Sequence, residues 1–351
     1  MGLTILHSAD WHMGSAFGGF SQRQRRFLRQ QQLALPGKIA EICSRETCDL
    51  VLLSGDIFDG IPGRDVVEAV KKGLQDCAVP VFVSPGNHDF CGVGSPWTEE
   101  IWPDNVHVFQ GGLTSVALPE LDCRIYGAGY SSMDCPALLT NFRAQGQEKY
   151  AIGVLHADPM NPQSPYSPVT AAQIQGSGLA YLALGHIHKA GSLRQGNTLC
   201  AWPGCPMGRG WDETGEKGVY LVKLEDSAGL RFLPLGMPVF WDLEADVTED
   251  PAAAIAAALP AAESGDFFRI TLTGAAEVEE KLLESVSGRF PNLVFRDRTD
   301  PPVDLWADVA EDTFRGTYFR LLQELARSDE TATLAADISR RILSGREVPL
   351  P

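Results

Sequence analysis

Five times within residues 1–190 an apolar run ends abruptly in a cluster of carboxylates, imidazoles or amides. Asp10 and His12 close the first run, in SADWH, and Asp56 and Asp59 close the second, in GDIFD. Asn87, His88 and Asp89 follow in GNHD, His156 in LHAD, and His186 with His188 in ALGHIHK. Short apolar runs alternating with helical stretches mark an α/β chain. Loops at the carboxyl ends of strands in such a fold converge on one crevice. Residues far apart in sequence are therefore expected to meet there. Five of the seven histidines belong to these clusters. His7 lies one pleat before the first loop and is expected to be packed or hydrogen-bonded, and His107 has no such context.

The expected strands are residues 3–7, 50–53, 79–83, 124–126, 152–155, 181–184 and 219–224, with helices over 25–45 and 66–77. The proline-rich stretch 159–168, PMNPQSPYSP, cannot be regular structure and reads as an ordered loop or lid beside a site. A second unit is expected from about Leu243. Asp250 and Pro251 suit the N-cap and first position of an Ala-rich helix to Leu259. The strand FFRITLTG, a helix over 277–286 and the strand LVFRD follow. Phe314, Tyr318, Leu321, Leu322 and Leu325 fall at helical spacing, as do Leu334, Ile338 and Ile342. Such stripes ordinarily pack on their own domain, and the alternative is a helix that docks on a partner.

Length and composition are those of a globular chain of two domains. No apolar run spans a membrane, and a strand beginning at Leu3 leaves no room for a leader, so a cytoplasmic protein is expected. Eight cysteines without a C-x-x-C pair are expected to be reduced thiols. The net charge is −16, of which −11 falls in residues 241–351. Residues 11–40 nonetheless hold no acid and five bases, Arg23, Arg25, Arg26, Arg29 and Lys38. This run is either a solvated helix face or a local contact for an anionic substrate.

The donor set decides the chemistry. Carboxylates, imidazoles and one amide oxygen, with no thiolate, suit Mn²⁺, Fe²⁺ or Zn²⁺. The set exceeds the need of one ion and suits two that share a carboxylate. Two such ions clamp the attacking and leaving oxygens of a displacement at phosphorus and activate water at neutral pH. Each motif alone could be a turn, since Gly and Asn tolerate positive φ. Five in one chain, each after a strand, are poorly explained as turns.

The ordered series D-x-H, G-D-x-x-D, G-N-H-D, a lone His and G-H-x-H resembles the signature of calcineurin-like metallophosphoesterases. Within them, HSADWHMGSAF, GDIFDG, PGNHD, ALGHIHK and WPGCPMGRGWDETGEKGVYLV resemble the SbcD/YhaO-type DNA repair exonucleases, over most of residues 1–225. The resemblance implies a sandwich of two mixed sheets flanked by helices over residues 1–240, with a small C-terminal α+β and helical module over 241–351. It implies metal-dependent cleavage of DNA phosphodiester bonds, as an exonuclease that can also cut single strands. Asp10, His12, Asp56 and His188 would bind one metal. Asp56, Asn87, His156 and His186 would bind the other, with Asp56 as the bridge. The paired histidines of GHIH would then serve one ion each. Mn²⁺ is the expected ion, with Fe²⁺ and Zn²⁺ as alternatives. His88 would be the general acid on the leaving oxygen, oriented and charged by Asp89. Relatives of this kind act on DNA as homodimers with an SMC-like ATPase, which could supply the basic surface this chain lacks.

Two positions depart from the pattern. Asp59 stands where archaeal and eukaryotic break-repair relatives have His, so a DNA-positioning role does not transfer to it directly. Cys205 replaces the Ser of PGSP, as a tolerated small residue. Two other readings compete. A phosphatase or phosphodiesterase for small phosphoesters would be favoured by an arginine directly after GDxxD, but Gly60 stands there and the nearest arginine is Arg64. An inactive scaffold that docks a partner through its C-terminal helices would be expected to lack ligands, and none is missing.

Overall fold

The computed structural model describes residues 2–261, 264–302, 304–345 and 348. The chain divides into two compact units, Met1–Asp242 with Ser264–Phe268, and Leu243–Glu263 with Arg269–Pro351.

In the first unit, β1 (Leu3–Ser8), β2 (Leu50–Leu53), β3 (Val81–Val83) and β4 (Val106–Val108) run parallel, side by side. A second sheet holds β5 (Thr114–Leu118), β6 (Cys123–Gly127), β7 (Tyr150–His156), β8 (Tyr181–Gly185), β9 (Gly191–Gln195) and β10 (Thr198–Trp202), in the order β5-β6-β7-β8-β10-β9. β11 (Gly218–Leu224) and β12 (Ala228–Pro234) complete the first sheet, with β11 antiparallel to β1. Both sheets are therefore mixed. Helices α1 (Gln22–Arg45), α2 (Arg64–Asp76), α3 (Pro96–Glu99) and α4 (Ala171–Gly176) belong to this unit.

Alternation along β1 explains the layers. Leu3 and Ile5 join Leu50, Leu52, Ile152, Val154 and Tyr181 in a core between the sheets. Leu6 faces the other way, into a core shared with Leu35 and Ile39 of α1 and Val67 and Val70 of α2. Central strands covered on both faces read as unbroken apolar runs, which is why they are legible. Edge and antiparallel strands such as β4, β5, β9 and β12 are half-exposed and carry no such run. α1 keeps Pro36 in its interior, and that ring packs on α2 where a Cβ at Gly73 would fall 2.4 Å from Pro36 Cβ.

His7 lies in the core between the sheets. Its Nδ1 is 2.7 Å from Tyr181 Oη and its Nε2 is 2.7 Å from Ser54 Oγ. Burial drives its pKa down to about 3, against a weaker opposing hydrogen bond to the Leu184 backbone. It is a neutral packing residue.

β13 (Phe240–Asp246), β14 (Phe267–Thr273) and β15 (Leu293–Asp297) form a third sheet in that order, mostly of second-unit residues, with the first residues of β13 and β14 falling in the first unit. α5 (Pro251–Ala258) starts where Asp250 Oδ1 accepts from Ala253 N at 3.0 Å. Ile255 packs with Val247, Ile270 and Leu272. α6 (Glu280–Arg289) begins three residues later than its sequence pattern, because no side chain caps its N-terminus. α7 (Phe314–Leu325) and α8 (Glu330–Leu343) pair through Phe319, Ala332, Ala336 and Arg340, whose guanidinium lies 3.8 Å over the Phe319 ring. The expected apolar stripes are not the packed face. Phe314, Leu321, Leu325, Leu334 and Ile342 are exposed, because small residues and Arg340 fill the contact instead. All eight cysteines are free. Among the described residues no helix is long and apolar enough to cross a membrane.

Candidate metal centre

The first two ligand loops are built as one object. Beyond the ends of β1 and β2 the ladder continues through Asp10 N to Gly55 O (3.0 Å), His12 N to Asp56 O (2.9 Å) and Met13 N to Ile57 O (2.8 Å). Asp10, His12, Asp56 and His186 all have positive φ, from 45° to 85°. Asp and His tolerate that region better than most residues, and sparsely populated backbone is held in place by its surroundings. Gly55 has φ 89°, and a Cβ there would meet His156 Nδ1 at 2.4 Å. At Gly86 a Cβ would meet Asp56 Oδ1 at 2.3 Å. The glycines of GDIFD and GNHD are thus required by close approach to ligand-type side chains.

The structure brings together all seven residues expected to ligate metal. Asp10, His12, Asp56, Asn87 and His156 are buried, and His186 and His188 are half-buried. Ligand-type atoms cluster within 4.8 Å in the groups Asp10–His12–His188 and Asp10–Asp56–His156. Asp10 belongs to both groups, and Asp56 Oδ2 in the second lies 3.3 Å from His156 Nε2 and 3.7 Å from His12 Nε2 of the first. Asn87 Oδ1 is 2.9 Å from His156 Nε2. His186 packs its ring 5.3 Å from that of His156, and its backbone N–H donates to Asp10 Oδ1 at 2.9 Å. The irregular loop after His156 sets Tyr166 4.7 Å from the His186 ring.

The donor set fits divalent cations. Asp10 Oδ2 is buried without a hydrogen-bond partner among the described residues. His12 Nε2 and His188 Nε2 face each other at 3.2 Å, a repulsive pairing of lone pairs unless a proton or cation lies between. His156 Nδ1 donates to Ser54 O at 2.9 Å, and His188 Nδ1 donates to Glu213 Oε1 at 2.7 Å. A carbonyl and a carboxylate only accept, so both rings present Nε2 to the cluster. Burial opposes charge on His156, but Asp56 outweighs it and pushes the pKa up to about 9. Burial likewise opposes charge on Asp56, and the facing His156 and His12 hold its carboxyl below the usual range. A cation competes with protons for such a cluster.

His88 and Asp89 diverge, and the expectation that Asp89 orients His88 is corrected. Asp89 is buried and turned inward. Its oxygens accept from the backbone N–H groups of Gly86 (2.7 Å), Asp56 (3.2 Å), Ile57 (2.8 Å) and Phe58 (3.3 Å), and from Trp97 Nε1 (2.9 Å). No acceptor capacity is left for an imidazole. Asp59 takes the expected place, with Oδ1 3.1 Å from His88 Nδ1. The His88 side chain is 47% exposed at the rim. Asp59 raises its pKa, against partial burial. His88 also falls in a ligand-type group with His12 and Asp56.

Sequence reasoning did not single out Glu213. Its carboxylate joins His188 to Arg209, whose Nη2 donates to Oε1 at 2.6 Å. The conspicuous motif GRGWDE was the available signal, 25 positions beyond His188. Cys205 packs on the same loop, its N–H donating to His188 O at 3.2 Å. Arg25 and Arg26 are exposed on α1. That helix is tied to the first ligand loop by Gln32, whose Nε2 donates to His12 O at 2.8 Å. The Arg64 side chain is 83% exposed and pairs with Glu68.

A sequence profile for calcineurin-like phosphoesterases matches residues 3–190, and the chain belongs to that family. It is 32% identical over 270 residues to the uncharacterized metallophosphoesterase YhaO of Bacillus subtilis (strain 168), across 70% of this chain and 64% of that one. It is 24% identical over 263 residues to the SbcD component of the nuclease SbcCD of the same organism, across 63% of this chain and 66% of that one. The chain thus spans less than two thirds of the length of these relatives. A solved dimetal phosphatase from Danio rerio is similar at 14% identity and a TM-score of 0.45, across 66% of this chain and 96% of that one. The chain is thus a member of the metallophosphoesterase family in which ligand-type side chains of the kind that hold divalent ions are clustered.

Proposed function

We propose that this chain hydrolyses phosphodiester bonds of DNA, as an exonuclease that also cuts single strands, in DNA repair. The observation that carries the reading is Asp56 Oδ2 reaching imidazole nitrogens of both ligand clusters, with a partly exposed, carboxylate-paired His88 beside them. Asp10, His12, Asp56 and His188 would hold one ion, and Asp56, Asn87, His156 and His186 the second. Divalent cations there, Mn²⁺ above all, would supply stabilisation of charge at phosphorus and activation of the attacking water. The chain's residues do the rest. Ser54 O and Glu213 fix the imidazoles of His156 and His188. His88 N–H donates to Asp56 Oδ1 at 2.8 Å and fixes that carboxylate. The His88 imidazole, whose pKa Asp59 raises, would give its proton to the leaving oxygen.

The nuclease reading is supported by the SbcD relative, which is named as part of a nuclease. The exposed Phe314, Leu321, Leu325, Leu334 and Ile342 support docking of another protein, for which an SMC-like ATPase is the proposed partner alongside a second copy of the chain. Against a phosphatase stands Gly60 directly after Asp59, with Arg64 exposed and paired to Glu68. The test offers the Mn²⁺-loaded protein labelled double-stranded DNA, single-stranded DNA, bis(p-nitrophenyl) phosphate and p-nitrophenyl phosphate side by side. Cleavage of DNA and of the diester is expected. Turnover of the monoester alone would replace this reading with the phosphatase one.

A further inference from the structure

We propose that Arg209 is a phosphate-gripping residue, a guanidinium splinted in place so that its unused face contacts a non-bridging oxygen of the substrate phosphate. This rests on the phosphoesterase reading above. Arg209 stands in a tight turn that Glu213 closes. Glu213 Oε2 accepts the Arg209 backbone N–H at 2.8 Å, and Glu213 N–H donates to Gly210 O at 3.1 Å. The same carboxylate takes Arg209 Nη2 at 2.6 Å and Nε at 3.2 Å. It also takes His188 Nδ1 at 2.7 Å. One buried carboxylate therefore fixes both an expected metal ligand and a guanidinium. Arg209 Nη2 lies 3.2 Å from His188 Nδ1, so the arginine stands against the outer edge of a ring whose Nε2 faces the cluster.

The remaining donors are what point to a ligand. The Arg209 side chain is only 22% exposed, yet Nη1 has no partner among the described residues. Arg209 lines a cavity of about 280 Å³ together with Ser15, Phe17, Asp59, Asp212 and Glu213. Of the three acids there, Glu213 is committed to His188 and Arg209 and Asp59 faces His88 and His12, which leaves Asp212, among the described residues, as the one acid free to compete with a phosphate. A guanidinium already anchored on one edge loses little freedom when its other edge meets an oxyanion, and its fork matches phosphate geometry. The bound cations would supply attraction, and Arg209 would supply direction.

The test measures binding of inorganic phosphate to the Mn²⁺-loaded protein by calorimetry, and inhibition of bis(p-nitrophenyl) phosphate cleavage by phosphate. Wild type, Arg209→Ala and Arg209→Lys are compared, with metal content and thermal midpoint recorded for each. A hydrogen bond to a charged group predicts about a 10- to 100-fold weaker phosphate affinity in Arg209→Ala, with two metals retained. Arg209→Lys should recover part of that loss, keeping charge without the fork. Unchanged phosphate affinity would overturn the proposal. Loss of a metal in Arg209→Ala would also overturn it, since the arginine would then act only through Glu213 and His188. A wild type that binds no phosphate and cleaves no diester would remove the phosphoesterase reading itself.

Discussion

His88 Nδ1 lies 3.1 Å from Asp59 Oδ1, while the adjacent Asp89 points its carboxylate into the backbone of the Asp56 loop. The residue three positions past Asp56 therefore governs the rim imidazole. A general acid must carry its proton, so activity falls as pH rises through its pKa. Asp59 raises that pKa, so Asp59→Asn should move the alkaline limb of kcat to lower pH. His88→Ala should lower kcat by about 10²–10⁴-fold and abolish the limb while metal content stays intact. A limb that stays put in Asp59→Asn would break the link between the two residues.

Asp89 should behave as a structural residue. Removing it strands four backbone N–H groups and the Trp97 indole N–H in a buried loop. Each buried donor left unsatisfied costs roughly 1–3 kcal/mol, although relaxation and water recover part of the total. Asp89→Ala should lose at least about 3 kcal/mol of unfolding free energy in urea titration. An unaltered denaturation midpoint would mean that the loop is held by something else.

Asp56 offers one carboxylate to two clusters, so its loss should be felt twice. Asp56→Asn should lower metal content at both positions, since a neutral amide is a poor bridge between cations. Elemental analysis after Mn²⁺ loading and desalting reads this directly. Two tightly retained ions in the variant would remove Asp56 as the bridge.

Much of this centre is legible in sequence because its ligands sit where buried parallel strands end, and such strands announce themselves as apolar runs. The seven ligand-type residues need only that placement. The His88 partner needs more. Asp59 and Asp89 are both near His88 along the chain or across the crevice, and only the turn of each loop decides which carboxylate reaches the ring. Glu213 was hidden for a related reason. It acts through His188 from a separate turn, and a lone glutamate in a charged stretch carries no periodic signal. The α7 and α8 stripes misled because periodicity identifies an apolar face but not what covers it. Small Ala332 and Ala336 made the contact instead.

His7 gives the fold a pH dependence that does not involve the metals. Its folded pKa of about 3 lies below the ordinary value of 6.5. The unfolded chain therefore binds more protons below pH 6.5, and stability from keeping His7 neutral is lost as pH falls from there toward 3. Between about pH 6.5 and 4.5 the loss should reach roughly 2–3 kcal/mol. His7→Gln should flatten the fall in urea midpoint over that range relative to wild type. Because every other histidine is common to both proteins, the difference between the curves isolates His7. Parallel curves would mean that the buried ring is protonated already.

The basic run on α1 makes the last prediction. Arg25 and Arg26 are exposed, and their helix is fixed to the His12 loop by Gln32. A DNA strand entering the metal cluster could meet them several residues from the scissile bond. If they pair with phosphates, replacing both with Ala should weaken DNA binding at all sequences. The log–log salt dependence should flatten by about one unit for each phosphate left without its arginine. Turnover of bis(p-nitrophenyl) phosphate, too small to bridge from α1 to the cluster, should not change. Equal damage to both substrates would indicate a disturbed His12 loop, since α1 carries the Gln32 that holds it. An unaltered salt slope with normal diester turnover would leave these arginines as a solvated helix face.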